Sequence, residues 1–400
     1  MTITFPGRSP RVRILVCALT ALILLFGPGL RAAVAQVSTI VGTGDDGSLY
    51  GIDMPAQWNG ELVVYAHGIV DPALPVALPT TQDGSDLLRA RIAGMGYAIA
   101  YSSFSDNGYS LKSAIQRTHQ LRGAFATTFG QPSRTYLVGH SLGGLAVLAL
   151  AETYPGQYAG ALPMCTPVGG GTAEIQYLGN GRVLFDYFFP GAVAGGPFSV
   201  PPGTSFAPGS PAFTSAFNAL VGGLFAPGQP TLQFASAAKL PFTSVPELIN
   251  SGMSVVGFSV RFTNDVLDRT SGHIPYENRS TIFRGSADDV ALNAGVERFE
   301  GRPDAVNYFR TFYTPTGALQ IPVLTLHTRF DPVAPFAQEA DYAKVVQGAG
   351  ASAWLAQRSV TSYGHCNINT NEAVAAFSTL VAWANGGPAP APLGDGTIRP

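Results

Sequence analysis

The sequence predicts an α/β protein: a mostly parallel, doubly wound sheet with a cap inserted into it. Three observations predict it. Short apolar runs alternate with helical stretches over residues 36–168 and again over 320–386, the signature of a parallel sheet covered by helices. Between these blocks, over 169–319, the rhythm is lost and 16 of the chain's 24 phenylalanines gather. Hydrophobic residues make up 46% of the 400-residue chain and charged residues only 12%, with 47 glycines and 31 prolines, which argues for a packed, loop-rich protein and against a disordered one.

Residues 1–35 are expected to be a cleavable export signal. Arg8, Arg11 and Arg13 precede an apolar run from Ile14 to Phe26, and the small residues Ala33, Val34 and Ala35 offer a cleavage site before Gln36. That run is 13 residues long, well short of the roughly 20 that cross a bilayer, so no stable membrane anchor is expected. Losing this segment removes four arginines and no acid, taking the net charge from −2 to −6. With no block of Lys or Arg elsewhere, nucleic acid is not an expected partner. The expected location is secreted or periplasmic.

The elements then follow in order. Residues 38–41 and 49–53 are expected to be leading strands, and Glu61 to Ala66 (ELVVYA) is a β-branched run ending at His67-Gly68. A helix is expected over 87–93, a strand over 97–101 and a long helix over 111–129. The strand 134–138 runs into Gly139-His140-Ser141, after which 145–154 has helical spacing and 158–164 supplies another strand. Residues 168–250 hold only five charged side chains. Aromatics at that density do not stay in water, so the insertion 169–319 is expected to be a cap and not a linker. The alternation resumes with strand 322–327, helix 334–346, strand 353–360 and helix 371–383, before a Pro-Gly-Ala tail over 387–400.

Chemistry is suggested by Gly139-His140-Ser141-Leu142-Gly143. In so glycine-rich a chain a chance G-x-S-x-G is not rare, but this copy follows a strand and opens a helix, as a nucleophilic serine at a strand-to-helix turn requires. A hydroxyl needs a base, and the base needs an orienting carboxylate. Of six histidines, only His365, in Tyr363-Gly364-His365-Cys366, sits in a loop after the last expected strand. Asp331 follows the strand PVLTLH and precedes Pro332, whereas Asp341 falls on a helix and Asp304 before the strand. Oxyanion donors are expected from the amides of Leu142, after the nucleophile, and Ile69, after ELVVYA, with Gly68 as the alternative to Ile69. Neither a metal nor a cofactor is expected, since His and Cys show no close-spaced ligand set.

The order Ser141, Asp331, His365, with His67-Gly68 upstream, resembles the α/β-hydrolase superfamily over residues 37–168 and 320–385. The GHSLGG elbow is similar to those of esterases and lipases, and HTRFDPVAP and YGHCNINTNE look like the acid and histidine loops. The insertion matches no subfamily. In that fold Cys165 and Cys366 would reach one edge of the sheet, which implies a bridge tethering the histidine loop. The expected function is ester hydrolysis on a small-molecule or polymeric substrate with apolar or aromatic groups, with peptidase or amidase activity as the alternative.

Overall fold

Along Glu61–Ala66 the residues Leu62, Val64 and Ala66 point to one side and Val63 and Tyr65 to the other, so an apolar strand of this kind needs cover on both faces. The computed structural model, which describes residues 37–79 and 85–391, supplies that cover. The expected leader, residues 1–35, and residues 392–400 of the expected tail lie outside the described residues.

Eight strands occur among the described residues: β1 (Val37–Thr43), β2 (Leu49–Pro55), β3 (Glu61–Ala66), β4 (Ala98–Ser102), β5 (Arg134–His140), β6 (Gly160–Met164), β7 (Val323–Phe330) and β8 (Leu355–Tyr363). They form one sheet in the order β1-β2-β4-β3-β5-β6-β7-β8. The pairs β1/β2 and β2/β4 are antiparallel, and every later pair is parallel.

The helices are α1 (Ser85–Gly94), α2 (Leu111–Phe129), α3 (Leu142–Thr153), α4 (Gly171–Phe188), α5 (Pro211–Phe225), α6 (Pro230–Ala238), α7 (Val245–Arg269), α8 (Asp289–Gly295), α9 (Pro303–Tyr313), α10 (Ala337–Gly348) and α11 (Thr370–Ala384). Leu62, Val64 and Ala66 pack in one hydrophobic cluster with α2 and α3. Val63 and Tyr65 pack in a second with α1 and α11. Each fully buried Val or Leu contributes about 1.5–3 kcal/mol, so burial on both faces holds this strand inside the sheet.

Six helices, α4 to α9, lie between β6 and β7. The longest, α7, starts at Ser244, whose side chain accepts the Glu247 amide, and buries the stripe Ile249, Met253, Val256, Val260 and Thr263 at helical spacing. Phe185, Phe189 and Phe234 pack ring on ring inside this segment, with centroids 5.1–6.1 Å apart. Beside them Arg182 is fully buried, its Nε 2.9 Å from Asp186 Oδ1.

Because β3 and β5 to β8 run parallel, their C-terminal ends share one edge. Register places Ala66 opposite Gly139, His140 opposite Met164, and Phe330 opposite Tyr363. The loops that follow these strands carry Ile69, Ser141, Cys165, Asp331 and His365 to the same side, where open α/β sheets bind ligands.

Candidate active site

Ser141 is the single residue between β5 and α3, with φ 51° and ψ −120°. A side-chain-bearing residue held there costs on the order of 1–3 kcal/mol, and persists because its surroundings over-determine it. Its amide donates to the Met164 carbonyl at 2.9 Å, while its carbonyl receives the Leu145 amide at 3.1 Å. The flanking glycines are steric requirements: a Cβ on Gly139 would collide with the Gly143 carbonyl, and one on Gly143 with the carbonyl oxygens of Ala66 and His67. The turn thus lifts Oγ out of the sheet edge.

The structure brings the expected partners to that oxygen. His365 Nε2 lies 2.8 Å from Ser141 Oγ, and His365 Nδ1 lies 2.8 Å from Asp331 Oδ2. With Asp331 accepting from Nδ1–H, the unprotonated Nε2 faces the serine hydroxyl, the arrangement a general base needs. Asp331 Oδ1 accepts the amides of Val333 and Ala334 at 2.8 and 3.0 Å, so both carboxylate oxygens are committed. Burial pushes Asp331 upward, but His365 and His327 beside it outweigh that effect and hold it at about 2.

A serine in a strand-turn-helix elbow, with its acid and histidine delivered by later strands in the order Ser, Asp, His, decides the architecture. It is the α/β-hydrolase fold. No protein family matches the sequence, and no curated protein does. Among solved structures the chain is similar to an acylaminoacyl peptidase in complex with Z-Gly-Gly-Phe-chloromethyl ketone, at 9% identity and a TM-score of 0.44. That likeness covers 91% of this chain and 43% of the peptidase. It is also similar to the rice cell wall degrading esterase LipA from Xanthomonas oryzae, at 13% identity, TM-score 0.41, covering 87% of this chain and 88% of the esterase. A puromycin hydrolase matches at 15% identity and a TM-score of 0.43, over 90% of this chain and 41% of that one. This chain therefore spans less than half the length of two of these three proteins.

Sequence reasoning missed the support beneath the acid. His327 Nδ1 lies 2.9 Å from Glu339 Oε1, and its Nε2 lies 2.9 Å from the Ala334 carbonyl and 3.7 Å from Asp331 Oδ2. Both ring nitrogens face acceptors, so both carry hydrogens and the ring is an imidazolium. Burial opposes that charge, but Asp331 and Glu339 overcome it and raise His327 to about 10. Glu339 also accepts from Thr325 and Gln357. The available signal was the alternation of Thr325 and His327 in PVLTLH, which sends both side chains to one face of β7, towards α10.

The remaining histidines are otherwise engaged. His67 stacks on Phe104 and bonds the Gly68 carbonyl, and His140 bonds the Tyr65 hydroxyl; burial depresses both to about 4. His119 sits against Tyr154 and Tyr158, and His273 bonds Asp304. Asp341 pairs with Lys344 on α10.

Cys165 and Cys366 form a disulfide with Cα atoms 5.1 Å apart. It joins the end of β6 to the residue after His365, and both cysteines have positive φ, 43° and 55°. The helices of the insertion reach the same loops. Tyr177 on α4 donates to the Pro332 carbonyl, and the Tyr363 hydroxyl donates to the Glu247 carbonyl on α7. The Phe258 ring stands edge-on to His365 with centroids 6.4 Å apart.

Ser141 and His365 open into a cleft lined by Ile69, Leu142, Ile175, Phe198, Phe258 and Phe262, among others. The phenylalanines that line it are distinct from Phe185 and Phe189, which are buried in the core. Both expected oxyanion donors, Ile69 and Leu142, border this cleft. Glu174, also in the lining, escaped sequence reasoning because it looks like an ordinary first-turn helix acid. Among the described residues no group of three or more His, Cys, Asp or Glu is placed to hold a metal ion.

Proposed function

We propose that this chain is a secreted serine hydrolase that cleaves carboxylic esters bearing apolar or aromatic groups. One observation carries the reading: Ser141 Oγ, His365 and Asp331 form a continuous hydrogen-bonded relay, 2.8 Å at each step, at the mouth of an apolar cleft. In the first half-reaction Oγ attacks the ester carbonyl while His365 Nε2 takes its proton. Asp331 steadies the imidazolium that results. His365 then returns the proton to the departing alcohol, leaving an acyl-enzyme. Water, deprotonated by the same nitrogen, releases the acid and regenerates Ser141.

The negative charge on the tetrahedral oxygen is assigned to the amides of Leu142 and Ile69. The first N–H groups of a helix lack intrahelical acceptors, which favours Leu142 at the start of α3. Residues 1–35 are proposed to be the export signal, removed after Ala35, and a disulfide beside the base suits an oxidising compartment. The mass of the mature protein recovered outside the cytoplasm tests that cleavage.

A panel of chromogenic esters of graded acyl length, run beside aminoacyl amides on wild type and Ser141→Ala, tests the reading. Ester turnover that depends on Ser141 supports it. Amide turnover outrunning ester turnover would replace it with a peptidase or amidase.

A further inference from the structure

The cleft beside Ser141 contains polar groups that the protein itself leaves unsatisfied. Among the described residues Glu174 Oε2, the Tyr109 hydroxyl and the Ser259 hydroxyl find no hydrogen-bond partner, although the three residues line the cleft and are only 5%, 6% and 8% exposed. A buried polar atom without a partner costs about 1–3 kcal/mol, and more when charged, so three around one cleft call for an explanation in what the cleft binds. Among the described residues the lining holds no lysine or arginine to pair with Glu174.

Two of the three share one corner. Glu174 stands on the first turn of α4, three residues after Gly171, and a Cβ on Gly171 would lie 3.1 Å from the Tyr109 hydroxyl. Tyr109 is itself fixed from the insertion: its amide donates to Asp265 on α7 at 2.6 Å, and its ring packs edge-on against Phe309. The Tyr109 hydroxyl and the Glu174 carboxyl, which also meets Gln338, are thus two acceptors enclosed in the wall of the cleft at one corner.

We propose that this corner binds a protonated amino group of the substrate, with Glu174 Oε2 as its counter-charge and the Tyr109 oxygen as a second acceptor. The inference rests on the hydrolase reading above and narrows its substrate class. A neutral hydroxyl would bring one donor and no charge; an ammonium brings three donors and the cation that the lining lacks. Burial, together with Asp331, raises Glu174 to about 8 against the opposing effects of Gln338 and His327. An entering ammonium displaces that proton to solvent and leaves an ion pair screened from water.

Two substrate pairs, matched in shape, place the amine at different positions. They are 4-nitrophenyl 6-aminohexanoate against 4-nitrophenyl heptanoate, and L-alanine 4-nitroanilide against isobutyryl 4-nitroanilide. For the wild type kcat/KM is expected to favour the amino member of at least one pair by about ten- to a hundredfold. Glu174→Gln should bring that ratio to about one, Tyr109→Phe should lower it partly, and Glu174→Asp should retain part of it. Thermal melting and fluorophosphonate labelling of Ser141 show which variants are folded, and Tyr109→Phe and Glu174→Asp carry the test should Glu174→Gln not fold. A wild-type ratio of one or less in both pairs, or an unchanged ratio in the folded Glu174 and Tyr109 variants, overturns the inference while leaving the esterase reading intact. If none of the four compounds is turned over in a Ser141-dependent way, both fall.

Discussion

Replacing both bridge cysteines, Cys165→Ser with Cys366→Ser, should weaken the protein and slow it at the same time. The bridge closes a segment of 201 residues. In the chain-entropy account a loop of that length restricts the unfolded state by about 5 kcal/mol at 25 °C, near the upper end of what single disulfides deliver. Serine at 165 and 366 inherits the same positive φ, so that strain does not separate the two forms, and single disulfides deliver less than the chain-entropy figure, typically about 2–4 kcal/mol. A net loss of about 2–4 kcal/mol is therefore expected, read from urea unfolding of oxidised wild type and the double variant. Activity should fall as well, since Cys366 directly follows His365 and the bridge is the covalent tie between that loop and β6. A small displacement of a general base lowers kcat by about ten- to a hundredfold. A variant within about 0.5 kcal/mol of wild type, with the same kcat, would refute the tether.

Further outcomes follow from the same geometry. Asp331→Asn should lower kcat by about 10³–10⁴-fold with a small change in KM, because the amide no longer holds the His365 tautomer; steady-state ester hydrolysis checks this. Glu174 is held at about 8 when folded against 4.5 when free, so the folded state keeps a proton that the unfolded chain releases. Its contribution is full below about 4.5 and lost as pH rises through about 8. Unfolding free energies of wild type should fall relative to Glu174→Gln across that window, by a few kcal/mol at about 1.4 per unit. Asp331 works in the opposite sense: lowered to about 2, it contributes above about 3.8 and is lost as pH falls through about 2. Arg182→Leu leaves Asp186 half-enclosed without its cation, and denaturant melts should show a loss of about 3 kcal/mol.

The candidate site was legible because each member follows a strand whose pattern is strong. ELVVYA and TYLV are largely apolar on both faces and PVLTLH on one, so the strands and the loops after them could be placed, and with them the positions of Ile69, Ser141 and Asp331. Boundaries shifted where side chains capture backbone. The helix expected from residue 334 begins at Ala337, since the Val333 and Ala334 amides are held by Asp331. The strand expected from 353 begins at Leu355, after a 3-10 turn over Ser352–Trp354. The insertion was harder to read. Its phenylalanines follow no single period because they are spread over several helices and the loops between them, whereas the stripe in α7 is drawn mainly by Ile, Met and Val. Glu174 stayed hidden for a different reason: its surroundings, among them Asp331 and Gln338, come from far away in the chain, whereas the partners of His327 lie 4–12 residues on and only the alternation in PVLTLH hints at them.

Ser141, as the proposed nucleophile activated by His365, should react with a fluorophosphonate, and intact-protein and peptide mass spectrometry reads the product. One adduct per chain is expected, on the peptide containing Ser141, absent in Ser141→Ala and formed far more slowly in His365→Ala. No adduct, an adduct on another residue, or full labelling speed without His365 would contradict that role.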